Sequence, residues 1–405
     1  MVLEQIAKLL IPIDLGGSPS NQMGLRIGFH IRLSSSIGFN YLIPIIYISN
    51  KSLETLLLSS KYKYAMITVT SGSALCSECL TDIKAQLMAI SAVNEKSFAT
   101  DILTNLIIEK PETLGPHSLA NEWGVYQLDR VAHLNSLTPV TPAYQRKHTL
   151  YFKYLQALNK NIGLAFEQPI HLPNATSVPI VIAASSTRVL YIDDEGSKGW
   201  TSALRVIFKY GTFVPVTGDG NSSTDFFFEI RNRIKEDWDL ILLDLRLLPL
   251  EEDIAGEILP IDRYSGTRIL GEIKAINEGT QVIIFTASNK AWNMKQLIDL
   301  GADGYYIKES PDYLIPDALS LKNYEVFLET AKSCFAKKYL RTIFIAQQEA
   351  ITHNVHTDIG FLTLSENGLK NSYKLIKQDL KEVAYLNYFQ IIENYIELTD
   401  AACIF

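Results

Sequence analysis

Residues 188–308 predict a five-stranded, doubly wound parallel α/β sheet. Two patterns carry that expectation: short runs rich in Val, Ile and Leu, and stretches of helical periodicity between them. Near-continuous apolar strands alternating with helices fit a parallel sheet covered on both faces. The strand-like runs are VLYI (189–192), TFVPV (212–216), LILLDL (240–245), QVIIFTA (281–287) and YYI (305–307). The helical stretches are WTSALRVIFKY, TDFFFEIRNRIKED, SGTRILGEIKAIN and NMKQLIDLG; in the third, Ile269, Ile273 and Ile276 recur at helical spacing. Ligands of such sheets bind beyond the carboxyl ends of the strands, so the chemistry is expected at that edge.

The strand ends are chemically loaded. The first run closes on Asp193 and Asp194, the third contains Asp244, the fourth ends at Thr286 and the fifth at Lys308. Clustered carboxylates repel one another by several kcal/mol at intermediate dielectric, so they need a cation or raised pKa values. A hard divalent ion with oxygen ligands, Mg²⁺ or Mn²⁺, meets that need. Asp244 is then placed to attack a phosphoryl group, with Lys308 neutralising its oxygens and Thr286 holding the product.

In their order along the chain, VLYIDDE, DLILLDLRLLP, SGTRILGEIK, VIIFTAS and GADGYYIKES resemble the receiver domain of two-component response regulators, a flavodoxin-like fold. The resemblance spans residues 188–318, about one third of the chain. It implies that Asp244 is the phosphoacceptor and that Asp193 and Asp194, with Asp244, are the metal ligands. It further implies that Thr286 and Lys308 bind phosphate and that Tyr305 is the aromatic that changes rotamer on activation. A histidine kinase or phosphotransfer protein is the implied phosphodonor, and the domain's own catalysis is limited to gaining and losing that phosphoryl group. Two features depart from the family. A long acidic stretch, LRLLPLEEDIAGEILPIDRY, separates Asp244 from Gly266, with its insertion at 248–263, and Lys308 is followed by Glu309 instead of proline.

The flanks are expected to comprise an N-terminal α/β and helical region (1–165), a linker (166–187) and a C-terminal helical region (319–405). Within residues 10–75, IPIDLGG, GLRIGFHIRL, LIPIIYIS and YAMITVTSG echo the receiver's third strand onward. Two readings stay open, a chance likeness between two α/β segments and a degenerate partial receiver; the latter puts Asp14 at the phosphoacceptor place, Ile48 at the hydroxyl and Thr68 at the lysine. The CSEC at 76–79 has ligand spacing but no second ligand pair nearby, so Cys76 and Cys79 are read as structural or incidental. After the receiver, a helix from Ser320 to about Gln348 and another through Leu369–Val383 predict a hairpin that serves a homodimer. His353 and His356, near Asp358, are candidates for phosphotransfer or metal ligation, beside an ordinary helix-end reading.

The chain has 405 residues, 47% apolar and 20% charged, with a formal net charge of −7. The acidity is concentrated in residues 186–320, which hold 14 basic and 22 acidic side chains. No segment has the basic excess of a nucleic-acid footprint. No apolar run is long enough to span a membrane, and the N-terminus lacks the basic flank of a signal peptide. A cytoplasmic location is therefore expected. Two other functions stay open: a scaffold that keeps the receiver fold without using phosphorylation, and a nucleic-acid-binding output in residues 1–165.

Overall fold

The computed structural model describes residues 7–15, 22–34, 38, 41–59, 64–106, 108–111, 116–146, 149–165, 182, 186–220, 222–248, 251, 260–287, 291–311, 315–353 and 359–378. The chain forms two compact units: Met1–Gln127, Leu137–Thr176 and Glu309–Leu321, and then Leu128–Ser136, Ser177–Lys308 and Lys322–Phe405. Among the described residues, no helix is long and apolar enough to cross a membrane.

The N-terminal elements run β1 (Leu9–Pro12), α1 (Met23–Arg32), β2 (Ile45–Ile48), α2 (Leu53–Ser59), β3 (Ser73–Cys76), α3 (Leu80–Ala89), the single turn α4 (Glu95–Ser97), α5 (Pro116–Ala132), α6 (Pro142–Arg146) and α7 (Leu150–Ala165). Strands β1, β2 and β3 make a parallel sheet in that order. The expected strand over YAMITVTSG is not one: Tyr64–Val69 is a 3₁₀ helix and the strand follows at Ser73. Ala65, Ile67 and Thr68 are buried there, and the hydroxyls of Thr68 and Thr70 turn back on the carbonyls of Ala65 (2.7 Å) and Ile67 (2.8 Å). Such local bonds satisfy the backbone without a strand partner.

The later elements are β4 (Arg188–Asp193), α8 (Trp200–Ile207), β5 (Thr212–Thr217), α9 (Ser223–Arg233), β6 (Leu240–Leu243), α10 (Ser265–Ile276), β7 (Val282–Thr286), α11 (Ala291–Asp299), β8 (Gly304–Ile307), α12 (Asp317–Ala336), α13 (Tyr339–His353) and α14 (Ile359–Lys377). The five strands are parallel in the order β5-β4-β6-β7-β8, the doubly wound arrangement expected. Strand alternation gives the sheet two apolar faces. Leu190, Ile192, Ile241, Leu243 and Ile284 pack with Phe226, Ile230, Ile269 and Ile273. On the other face, Phe285 stacks on Tyr306 (4.8 Å) and meets Trp200 edge-on (4.8 Å).

The long helix expected from Ser320 to Gln348 is two helices. Between Ala336 and Tyr339 the backbone bonds shift to three-residue spacing, with Lys338 N–H donating to Phe335 and Leu340 N–H to Lys337. The turn lets buried Leu340 sit against Gly279, where a Cβ would lie 2.4 Å from the Leu340 carbonyl carbon. Asn277 also donates to the Arg341 carbonyl (3.2 Å), and Arg341 pairs with Asp237. The last helix, expected through Leu369–Val383, occupies Ile359–Lys377 and packs on α13 through Leu340, Tyr373 and Ile376. The linker apart from residues 182, 186 and 187, most of the acidic insertion, His356 and Asp358 lie outside the described residues.

Candidate functional site

Four of the expected side chains meet at the carboxyl edge of the five-stranded sheet. Asp193 ends β4, Asp194 follows it, Asp244 follows β6, and Lys308 follows β8. One carboxylate oxygen from each of the three aspartates lies within 4.8 Å of the others. Lys308, fully buried, donates from Nζ to Asp193 Oδ2 and to Asp244 Oδ2 (2.7 Å). Burial opposes its charge, but the Asp193 and Asp244 carboxylates more than offset that and hold its pKa above the ordinary lysine value. Its ammonium also lies 5.4 Å from the centroid of the Phe285 ring.

Backbone geometry fixes the carboxylates. Asp193 Oδ1 accepts from the Glu195 N–H (2.9 Å), and Asp244 Oδ1 from the Leu245 N–H (2.6 Å). Gly266, at the start of α10, donates to the Leu245 carbonyl, and a Cβ there would lie 2.2 Å from the Asp244 carbonyl oxygen. The glycine thus admits the helix against the very residue that carries the third carboxylate. Three carboxylates and one ammonium leave a formal net charge of −2 at this largely buried edge. The all-oxygen donor set suits Mg²⁺ or Mn²⁺, and one divalent charge balances it.

Thr286 is buried at the end of β7, between the strands that lead to Asp244 and Lys308, and its carbonyl accepts from the Lys308 N–H (2.7 Å). Tyr305 is 44% exposed on β8, whereas Tyr306 faces inward. His353 is the last residue of α13, and its side chain lies outside what the structure describes.

Two contributors were not foreseen. Tyr191, fully buried on β4, donates its hydroxyl to Asp193 Oδ2 (2.5 Å). Burial first, then the Asp193 charge and this bond, push its pKa far above the ordinary phenol value, so it stays a donor. The signal was the lone phenol in VLYIDDE, two residues before Asp193 and so on the same face of the strand. Glu251, buried at the start of the acidic insertion, accepts from Ser265 N–H (2.8 Å), Ser265 Oγ (2.6 Å) and Leu247 N–H (3.3 Å). Its carboxylate therefore caps the N-terminus of α10 and ties it to the segment after Asp244.

The three-stranded sheet repeats this edge without its chemistry. Gly24 N–H donates to Ile13 as Gly266 N–H does to Leu245, both at 3.0 Å, and a Cβ at Gly24 would lie 2.1 Å from the Pro12 carbonyl oxygen. Pro12 therefore matches Asp244, correcting the assignment to Asp14, which is exposed and pairs with Lys51 (3.2 Å). Ile13 N–H bonds the Ile48 carbonyl and Ser49 N–H the Cys76 carbonyl, a register that gives Ser49 the place in its sheet that Thr286 has in the other, and Glu78 that of Lys308. The assignment of Thr68 fails because Tyr64–Val69 is a 3₁₀ helix and not a strand, and that of Ile48 because the strand register puts it at the place of Phe285, one residue short of Thr286. Arg32 matches Lys274 in the same way. Arg32 binds the carbonyls of Tyr41 (2.7 Å), Ile43 (2.6 Å) and Gly72 (2.9 Å), and Lys274 binds the Thr280 carbonyl (2.6 Å) and Asp303 (2.7 Å).

Parts of the chain are similar to known proteins. The family model of the inactive receiver domain matches residues 3–76. The nitrate/nitrite response regulator protein NarP of Escherichia coli (strain K12) is 28% identical over 160 residues, which are 39% of this chain and 64% of that protein, under two thirds of its length. Among solved structures, a CheY-like response regulator receiver domain protein from Methanospirillum hungatei JF-1 is similar at 19% identity and a TM-score of 0.24, covering 37% of this chain and 98% of that one. A Burkholderia pseudomallei response regulator, solved with a phosphorylated aspartic acid, calcium ion and citrate, is similar at 16% identity and a TM-score of 0.23, covering 41% of this chain and 89% of that one. The chain carries a receiver domain of the response-regulator type. The inactive-receiver match falls on the three-stranded sheet with Pro12, not on the sheet that holds Asp193, Asp194 and Asp244.

Proposed function

We propose that the five-stranded domain is a working receiver, in which Asp244 takes a phosphoryl group from a phosphohistidine of a kinase or phosphotransfer protein. The observation that carries this reading is the cluster in which buried Asp193, Asp244 and Lys308 meet half-buried Asp194. In the transfer, the phosphorus–nitrogen bond of the donor breaks, an Asp244 oxygen bonds phosphorus, and the donor imidazole leaves. Asp193, Asp194 and Asp244 would hold Mg²⁺ or Mn²⁺, which when bound offsets charge on the phosphoryl oxygens. Lys308, already 2.7 Å from Asp244 Oδ2, pairs with a phosphoryl oxygen. Thr286 donates its hydroxyl to the acyl phosphate, and Tyr305 changes rotamer as the β7 end moves.

The reading takes 188–318 as receiver, 1–165 and 319–405 as partner-contacting flanks and 166–187 as the connection between them. It places the protein in the cytoplasm, as a homodimer through the C-terminal helices. The test is incubation with acetyl phosphate and Mg²⁺, followed by intact-mass measurement. The wild type gains one phosphoryl group, and Asp244→Asn gains none; an Asp244→Asn chain labelled like wild type would end the assignment. A scaffold that never uses phosphorylation is the second reading, favoured by the inactive-receiver match at residues 3–76. It requires that neither acetyl phosphate nor beryllofluoride alter the wild type.

A further inference from the structure

We propose that Tyr191 is a positioning residue that holds Asp193 ready for the divalent ion. The proposal rests on the receiver reading above and adds a residue to it. Asp193 is held from three directions: Glu195 N–H on Oδ1 (2.9 Å), and Lys308 Nζ and the Tyr191 hydroxyl on Oδ2. Of these Oδ2 donors, Lys308 is charged and Tyr191 is neutral. An ion among the carboxylates takes over the charge that Lys308 balances, whereas the phenol bond carries no charge for it to replace.

The ring is fixed as well as the hydroxyl. Tyr191 meets Phe285 edge-on at 5.8 Å and stacks with Phe213 at 6.2 Å. Gly196 leaves room for it, since a Cβ there would lie 2.9 Å from Tyr191 Cε1. A phenylalanine would fill the same apolar volume, so packing alone gives no reason for a hydroxyl beside three carboxylates. Buried phenols need a partner. Here that partner is a proposed metal ligand, and donors that orient a ligand from behind sharpen its geometry for the metal.

The test compares full-length wild type, Tyr191→Phe and Asp193→Asn by Mn²⁺ titration, with free Mn²⁺ read by electron paramagnetic resonance. Metal-free melting curves run alongside as a check on the fold. Tyr191→Phe should melt with wild type in the absence of metal, yet bind Mn²⁺ about tenfold more weakly. Binding within about twofold of wild type, or tighter, overturns the role of Tyr191 while leaving the site intact. A wild type that binds no more Mn²⁺ than Asp193→Asn overturns the receiver reading and this proposal together.

Discussion

Lys308 shows how one side chain can hold a site together before any ligand arrives. It is a fully buried cation bound to two buried carboxylates, and removing one partner of such a set strands the others. Lys308→Met, which keeps much of the stem volume, should lower metal-free stability by about 3 kcal/mol. Urea unfolding with and without Mg²⁺ checks this: the ion should restore more stability to the variant than to wild type. An equal Mg²⁺ effect on both would show that the ion and the ammonium do not share the same carboxylates. The aspartates and lysine were legible in sequence because strand ends converge by topology. The Tyr191 hydroxyl was not, because a tyrosine in an apolar run reads as core until its partner is seen.

At the scale of elements, the contact between α10 and the end of β6 sets the position of Asp244. Gly266 has backbone, not a flexible side chain, in the place of its missing Cβ, so the neighbour cannot yield cheaply. Gly266→Ala should cost about 2 kcal/mol of stability and slow acetyl-phosphate labelling. Chemical denaturation and a labelling time course measure both. A variant as stable and as fast as wild type would mean the helix shifts freely over Asp244. Elements were legible where periodicity was long, as in α8, with Trp200, Ala203, Leu204 and Ile207 buried on one face. They were not legible at YAMITV, where a run that suits a strand closes instead on local carbonyls. The break after Ala336 was equally hidden, because the docking of Leu340 on Gly279 decides it.

For the whole molecule, two receiver-like edges predict one phosphorylation event. The five-stranded sheet has Asp244, the proposed acceptor, with an acidic pair and a lysine; the three-stranded sheet has Pro12, Ser49 and Glu78 at its edge and begins at the strand that matches β6. Labelling should therefore saturate at one phosphoryl group per chain. Pro12→Asp should not add a second, since among the described residues neither an acidic pair nor a lysine takes the matching places at that edge. Intact mass spectrometry of both chains decides it; a second phosphoryl group on the variant would show that a lone aspartate at this edge suffices.

By itself the sequence determined the parallel sheet, the order of its motifs and the aspartates and lysine at one edge, because strand periodicity and strand ends are local properties. It also showed the echo between the N-terminal region and the receiver. Only the tertiary structure decided which residue of that echo matches Asp244, since register depends on hydrogen bonds between strands far apart in the chain. The same holds for Tyr191 and Glu251: each is unremarkable alone, and each acquires its role from a partner that folding brings to it.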